Sequence, residues 1–139
     1  MVEEKGNKIL YFRFNEEDGS LQPMQELSTV PETELRYSDA GEVMIDPSGR
    51  FVLASNRYTD TIAVFSIDSQ TGFMHTHGFT PCLCKTPRFF CFAPDGHLYV
   101  LGEDSDEIVD FAWDAETGTL LATGKVISSE SPTCLIFAN

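Results

Sequence analysis

Apolar residues fall along this chain in short runs broken by polar stretches rich in Asp, Ser, Gly and Pro. Residues 42–46 form an apolar run of the length expected for a fully buried strand. Pro47-Ser48-Gly49-Arg50 follows as a turn, with proline presetting φ and glycine free to take a positive φ. Residues 51–56 and 61–67 read as the next two strands, the second rich in β-branched and aromatic side chains. Asp68-Ser69-Gln70-Thr71-Gly72 is a hairpin loop, and residues 73–79 form a fourth strand. No stretch shows a helical period with caps at its ends. The pattern predicts an all-β protein.

The same unit recurs. Ile45–Gly72 has a partner in Phe92–Gly118, about 46 residues on: Pro47 matches Pro94, Gly49 matches Gly96, Asp60 matches Asp106, Ile62 matches Ile108, Phe65 matches Phe111 and Thr71-Gly72 matches Thr117-Gly118. Residues 9–21 resemble the back half of the unit, and 131–137 its opening. Polar breaks at this spacing and strands this short point to radially repeated sheets rather than a sandwich. The expected fold is therefore a partial β-propeller, two complete four-stranded blades with partial blades at both ends. Residues 6–36 are expected to form a half blade, 38–80 and 86–128 whole blades, and 131–139 a closing inner strand, in a single domain over 1–139. Unpaired sheet edges invite another chain, so self-association, or docking of a complementary half-propeller, is expected.

Charge narrows the partners. The chain has 139 residues and a net charge of −13, which opposes nucleic acid and anionic membrane, since both demand clustered Lys and Arg. No apolar run approaches the roughly 20 residues that span a bilayer. The polar start Met1–Lys5 does not read as a secretory signal, so a cytoplasmic location is expected. Cys91 and Cys134 lie in apolar runs and read as core residues, whereas Cys82 and Cys84 lie in a loop, either as free thiols or as a disulfide or metal pair. His75 and His77 alternate on an outermost strand and should face one side, without a third ligand. No metal and no cofactor is expected.

Antiparallel geometry brings the start of each innermost strand to the same end of the blade as the close of the second strand. Residues 38–42, 56–58 and 85–88 should then share one mouth of the central channel. They hold Arg57, Lys85 and Arg88, three of the nine basic residues of an acidic chain. Cations gathered at one mouth suit an anionic small molecule, because arginine offers carboxylate or phosphate a two-pronged donor.

The motifs Asp46–Arg57, Asp60–Phe65 and Lys85–Phe90, reading P-S-G-R-F, S-N-R, D-T-I-A-V-F and K-T-P-R in order, resemble the C-terminal part of the seven-bladed β-propeller lactonase family. That family includes 6-phosphogluconolactonases, which act in the pentose phosphate pathway, and carboxy-cis,cis-muconate cyclases. The resemblance implies hydrolysis of a sugar lactone such as 6-phosphogluconolactone, with a small anionic lactone as the partner. It places Glu42, Arg57 and Arg88 at functional positions of the family, with Asn56 and Lys85 beside them as substrate-binding candidates. Arginines would bind the carboxylate or phosphate and steady an oxyanion. Glu42 would direct the attacking water as general base, or orient an arginine. The sequence departs from the family at Gly102-Glu103-Asp104 and lacks one residue near His97. The His and Arg that the family supplies from its N-terminal blades have no counterpart here. The alternative is a non-catalytic propeller fragment or interaction module.

Overall fold

The computed structural model describes residues 1–35 and 37–138. They form three antiparallel sheets. The first contains β1 (Val2–Glu3), β2 (Lys8–Phe14) and β3 (Leu21–Ser28), and a single 3-10 turn, Glu32–Glu34, leads out of it. The second is ordered β4 (Asp39–Ile45), β5 (Phe51–Arg57), β6 (Thr61–Ile67), β7 (Met74–Pro81). The third is ordered β8 (Pro87–Phe92), β9 (His97–Gly102), β10 (Glu107–Asp114), β11 (Thr119–Ser128). The meander order within each sheet is that of consecutive propeller blades. Among the described residues no helix is long and apolar enough to cross a membrane.

The middle blade explains why its strands read as continuous apolar runs. All seven residues of β5 are buried, because both faces of the sheet are covered. Successive side chains point to opposite faces, and the two faces feed two cores. Phe51, Leu53, Ile62 and Val64 pack with Phe90, Leu98, Val100 and Phe111 of the third blade. Val52, Ala54, Ala63 and Phe65 pack with Ile9 of the first blade and Met74. Trp113 meets Phe51 and Phe92 edge-on, with ring centroids 5.5 and 6.0 Å apart.

Each turn between the second and third strands of a blade reaches forward to the next. Asn7, Asp60 and Asp106 occupy this place in the three blades, all at left-handed φ of 50–55°, a conformation Asn and Asp tolerate better than other side chains. Their carbonyls accept the N–H of Thr29, Cys82 and Ser129 at the close of the outermost strands, at 2.8, 2.9 and 2.9 Å. Their side chains then hold the start of the following segment. The Asn7 amide donates to the carbonyl of Ser38 (2.7 Å), Thr86 N–H donates to Asp60 Oδ1 (2.8 Å) and Ser131 N–H to Asp106 Oδ1 (2.9 Å).

The hairpin loops, by contrast, close on themselves. Asp68 Oδ1 accepts the Gln70 and Thr71 N–H groups and the Thr71 hydroxyl, and Asp114 does the same for Glu116 and Thr117. Gly72 and Gly118 end these loops at φ +75° and +69°.

Some expectations need correction. Residues 131–138 form no strand; Leu135 to Phe137 instead flank an apolar groove beside β8, and the Phe137 ring rests 5.5 Å from Tyr99. The first sheet has a third strand, β1, which pairs Val2 and Glu3 with Ile9 and Lys8. Cys134 is exposed rather than in the core. His77 is the unpaired residue of a β-bulge between β6 and β7, so it does not simply alternate with His75.

Candidate functional site

The site begins with a close approach of two inner strands. A Cβ placed on Gly41 would lie 2.6 Å from Ser55 Oγ and 3.1 Å from the carbonyl oxygens of both Pro87 and Arg88. Only glycine lets β4 pass so near β8. Both strands are bulged at this point, with pairing shifting between Ala40 and Val43 in β4 and between Pro87 and Phe89 in β8. Bulges re-aim side chains, and these lie at Glu42 and Arg88. Together with Arg57 at the close of β5 they line one cavity of about 310 Å³, with Glu4, Gly41 and Thr133 also on its wall.

Each charged group there is already partly engaged. Glu42 Oε1 accepts the Val43 N–H at 2.8 Å, and the Glu42 N–H donates to Ser55 Oγ at 2.9 Å. Arg57 is only 8% exposed. It pairs with Glu4 and stands 3.9 Å from Asp39, which also receives Lys5 at 2.7 Å. The hydrogen bond from Arg57, and then its charge, hold the Glu4 carboxyl below its ordinary range. Arg57 Nε is buried and has no hydrogen-bond partner among the described residues. The Arg88 side chain is half exposed and stands 3.9 Å from Glu103.

The other two candidates go elsewhere. Asn56 is fully buried, and its amide donates to the Thr29 carbonyl at 2.7 Å and to Thr61 Oγ1 at 3.2 Å, joining the first two blades. Lys85 reaches Asp60 Oδ2 at 2.8 Å and lines a separate cavity of about 480 Å³ with Tyr58, Cys84 and Glu107. The mouth therefore gathers two arginines rather than three cations, because Asp60 draws the lysine aside. Glu4 and Asp39 are the participants that sequence reasoning missed. Among the described residues no three His, Cys, Asp or Glu side chains are grouped to hold a metal ion.

A family model, Lactonase, 7-bladed beta-propeller, matches residues 1–137. The chain belongs to this family. A 6-phosphogluconolactonase of Bacillus subtilis is 28% identical over 99% of the chain, and one of Formosa agariphila is 34% identical over 74% of it. Among solved structures, a candidate 6-phosphogluconolactonase of Bacteroides fragilis is 28% identical with a TM-score of 0.88, covering 98% of this chain and 37% of that one. The periplasmic gluconolactonase of Pseudomonas aeruginosa is 25% identical, also at 0.88, covering 98% and 38%. The chain spans 40% of the Bacillus subtilis protein and 30% of the Formosa agariphila protein.

Proposed function

We propose that this chain supplies part of the site of a lactonase that opens a sugar lactone such as 6-phosphogluconolactone. The observation that carries the reading is the meeting of Glu42, Arg57 and Arg88 around one cavity. Water adds to the lactone carbonyl carbon, the ring C–O bond breaks, and the proton released by water ends on the departing ring oxygen. Arg57, fixed by Glu4, donates to the oxygen on which negative charge develops. Arg88, half in solvent, meets the anionic substituent of the substrate. Glu42, steadied through Oε1, orients the water and takes its proton. Buried unpaired thiols at Cys82, Cys84 and Cys91 suit the reducing cytosol.

The chain covers well under half of its relatives, and both arginines already face carboxylates. Those facts support a second reading, a non-catalytic module that works only on pairing with further blades or with a second copy. Light scattering and lactone hydrolysis on the same purified fractions separate the two. Activity that Glu42→Gln lowers by about two orders of magnitude or more, with binding of 6-phosphogluconate retained, supports catalysis. An inactive wild-type chain of any mass supports the second reading.

A further inference from the structure

The junctions between blades are built alike, except at one place. Asn56 in β5 and Gly102 in β9 hold the same register in successive blades, opposite Thr61 and Glu107. At the first junction the Asn56 amide reaches the Thr29 carbonyl. At the second, Cys82 stands where Thr29 stood, the amide is missing, and Cys84 occupies the space. A Cβ on Gly102 would lie 2.3 Å from Ser105 Oγ, 2.6 Å from Cys84 Cβ and 3.1 Å from Cys84 Sγ. Gly102 and Cys84 therefore fit each other, and the result is two buried thiols with sulfurs 3.5 Å apart.

We propose that Cys82 and Cys84 are a dithiol that a hydroperoxide converts to a disulfide. A disulfide needs the sulfurs about 2.05 Å apart, so closure asks for a movement of about 1.5 Å. The residue between them can supply it. Leu83 is exposed and at φ +60°, and the tripeptide is already turned back on itself. The Cys82 S–H donates to the Cys84 carbonyl at 3.2 Å and the Cys84 S–H to Cys82 Sγ, so Cys82 gives up its proton when the loop opens, and Cys84 faces the open cavity beside Lys85. The Cys82 thiolate attacks one peroxide oxygen, the O–O bond breaks, and the departing hydroxide is protonated to water. Cys84 sulfur then displaces the hydroxide of the Cys82 sulfenic acid, and its proton leaves in a second water. Two thiols are oxidised and one hydrogen peroxide becomes two waters. Because Cys82 is fully buried, the reaction waits on local opening of the loop. Withdrawing Cys84 from Gly102 loosens the bond from Lys85 N–H to Ser105 Oγ, 3.0 Å long, and with it the segment that leads to Arg88. The thiol chemistry does not rest on lactone hydrolysis.

The test uses the full chain carrying Cys134→Ser, which removes the one exposed thiol. It is treated with hydrogen peroxide, denatured, alkylated and weighed. Trypsin leaves both cysteines in the single peptide Tyr58–Lys85, apart from Cys91. The expected result is a loss of about 2 Da in that peptide, the two hydrogens of the thiols, with both cysteines unalkylated until a reductant is added. Cys82→Ser in the same background should abolish the loss. Full alkylation of Cys82 and Cys84 at peroxide doses that oxidise Cys91, or a gain of about 32 Da as sulfinic acid at Cys82, would overturn the proposal.

Discussion

Replacing Asp60 by alanine tests the forward-reaching turn directly. Asp60 Oδ1 accepts the N–H of Thr86, itself buried, at 2.8 Å, and Oδ2 holds Lys85. A buried donor left without a partner costs about 1–3 kcal/mol. The lost ion pair adds little to this, since the lysine side chain is largely in solvent. Alanine at the left-handed φ of 52° adds about 1 kcal/mol over a residue that tolerates that region. The sum is about 2–4 kcal/mol of unfolding free energy. Asp60→Asn keeps both an acceptor oxygen and the tolerance of positive φ, so it should lose less than about 1 kcal/mol. Urea unfolding followed by the fluorescence of Trp113, with midpoint and slope fitted separately, reads the difference. If Asp60→Ala lies within about 0.5 kcal/mol of wild type, the turn is not what holds the blades in sequence.

Two further predictions follow from packing and charge. Gly118→Ala should cost far more than Gly19→Ala although both glycines have positive φ: a Cβ on Gly118 would lie 2.4 Å from the Phe51 ring, whereas nothing lies within 4 Å of one on Gly19. We expect about 1 kcal/mol at Gly19 and about 2–4 kcal/mol at Gly118; equal melting shifts would contradict the contact. Burial works to raise the Asp46 carboxyl, but hydrogen bonds from the Ser48 hydroxyl, the Phe51 N–H and the Trp113 indole outweigh it and leave it below its ordinary 3.8. A depressed carboxyl stabilises the fold above its unfolded value and loses that contribution as pH falls through the lower folded one. Asp46→Asn should therefore flatten the fall of stability below about pH 4; an unchanged acid slope would contradict this.

Much of the fold was readable because a blade buried on both faces writes its strands as short apolar runs. The third strand of the middle blade fell at 61–67 as the sequence predicts, and β4 to β11 follow the repeat. Antiparallel direction indicated that the segments holding Glu42, Arg57 and Arg88 share one mouth, and these three residues do line one cavity; the resemblance singled them out. What escaped depends on side-chain direction. Asn56 and Arg57 are neighbours, yet one points into the junction and the other into the cavity. Lys85 starts beside Arg88 but is drawn away by Asp60. The bulges at Glu42 and Arg88 leave no mark in hydrophobic period. Glu4 lies in the polar start Met1–Lys5, and the pairing of β1 brings it to Arg57. Gly41 was the one available signal, a glycine next to an acidic residue inside an otherwise continuous strand.

The contrast between the two kinds of turn also says where this architecture can be cut and rejoined. The hairpin loop at residues 68–72 satisfies its own backbone, so a recombination joint or a permuted terminus placed there severs no hydrogen bond that another blade depends on, whereas at 114–118 the Ala115 carbonyl also accepts the Arg50 guanidinium of the middle blade. A joint at Asp60 or Asp106 would leave an orphaned donor in the neighbour. The unit that can be shuffled among propellers of this kind is thus offset from the visible blade: it runs from one hairpin loop to the next and carries the turn together with the strand that the turn secures.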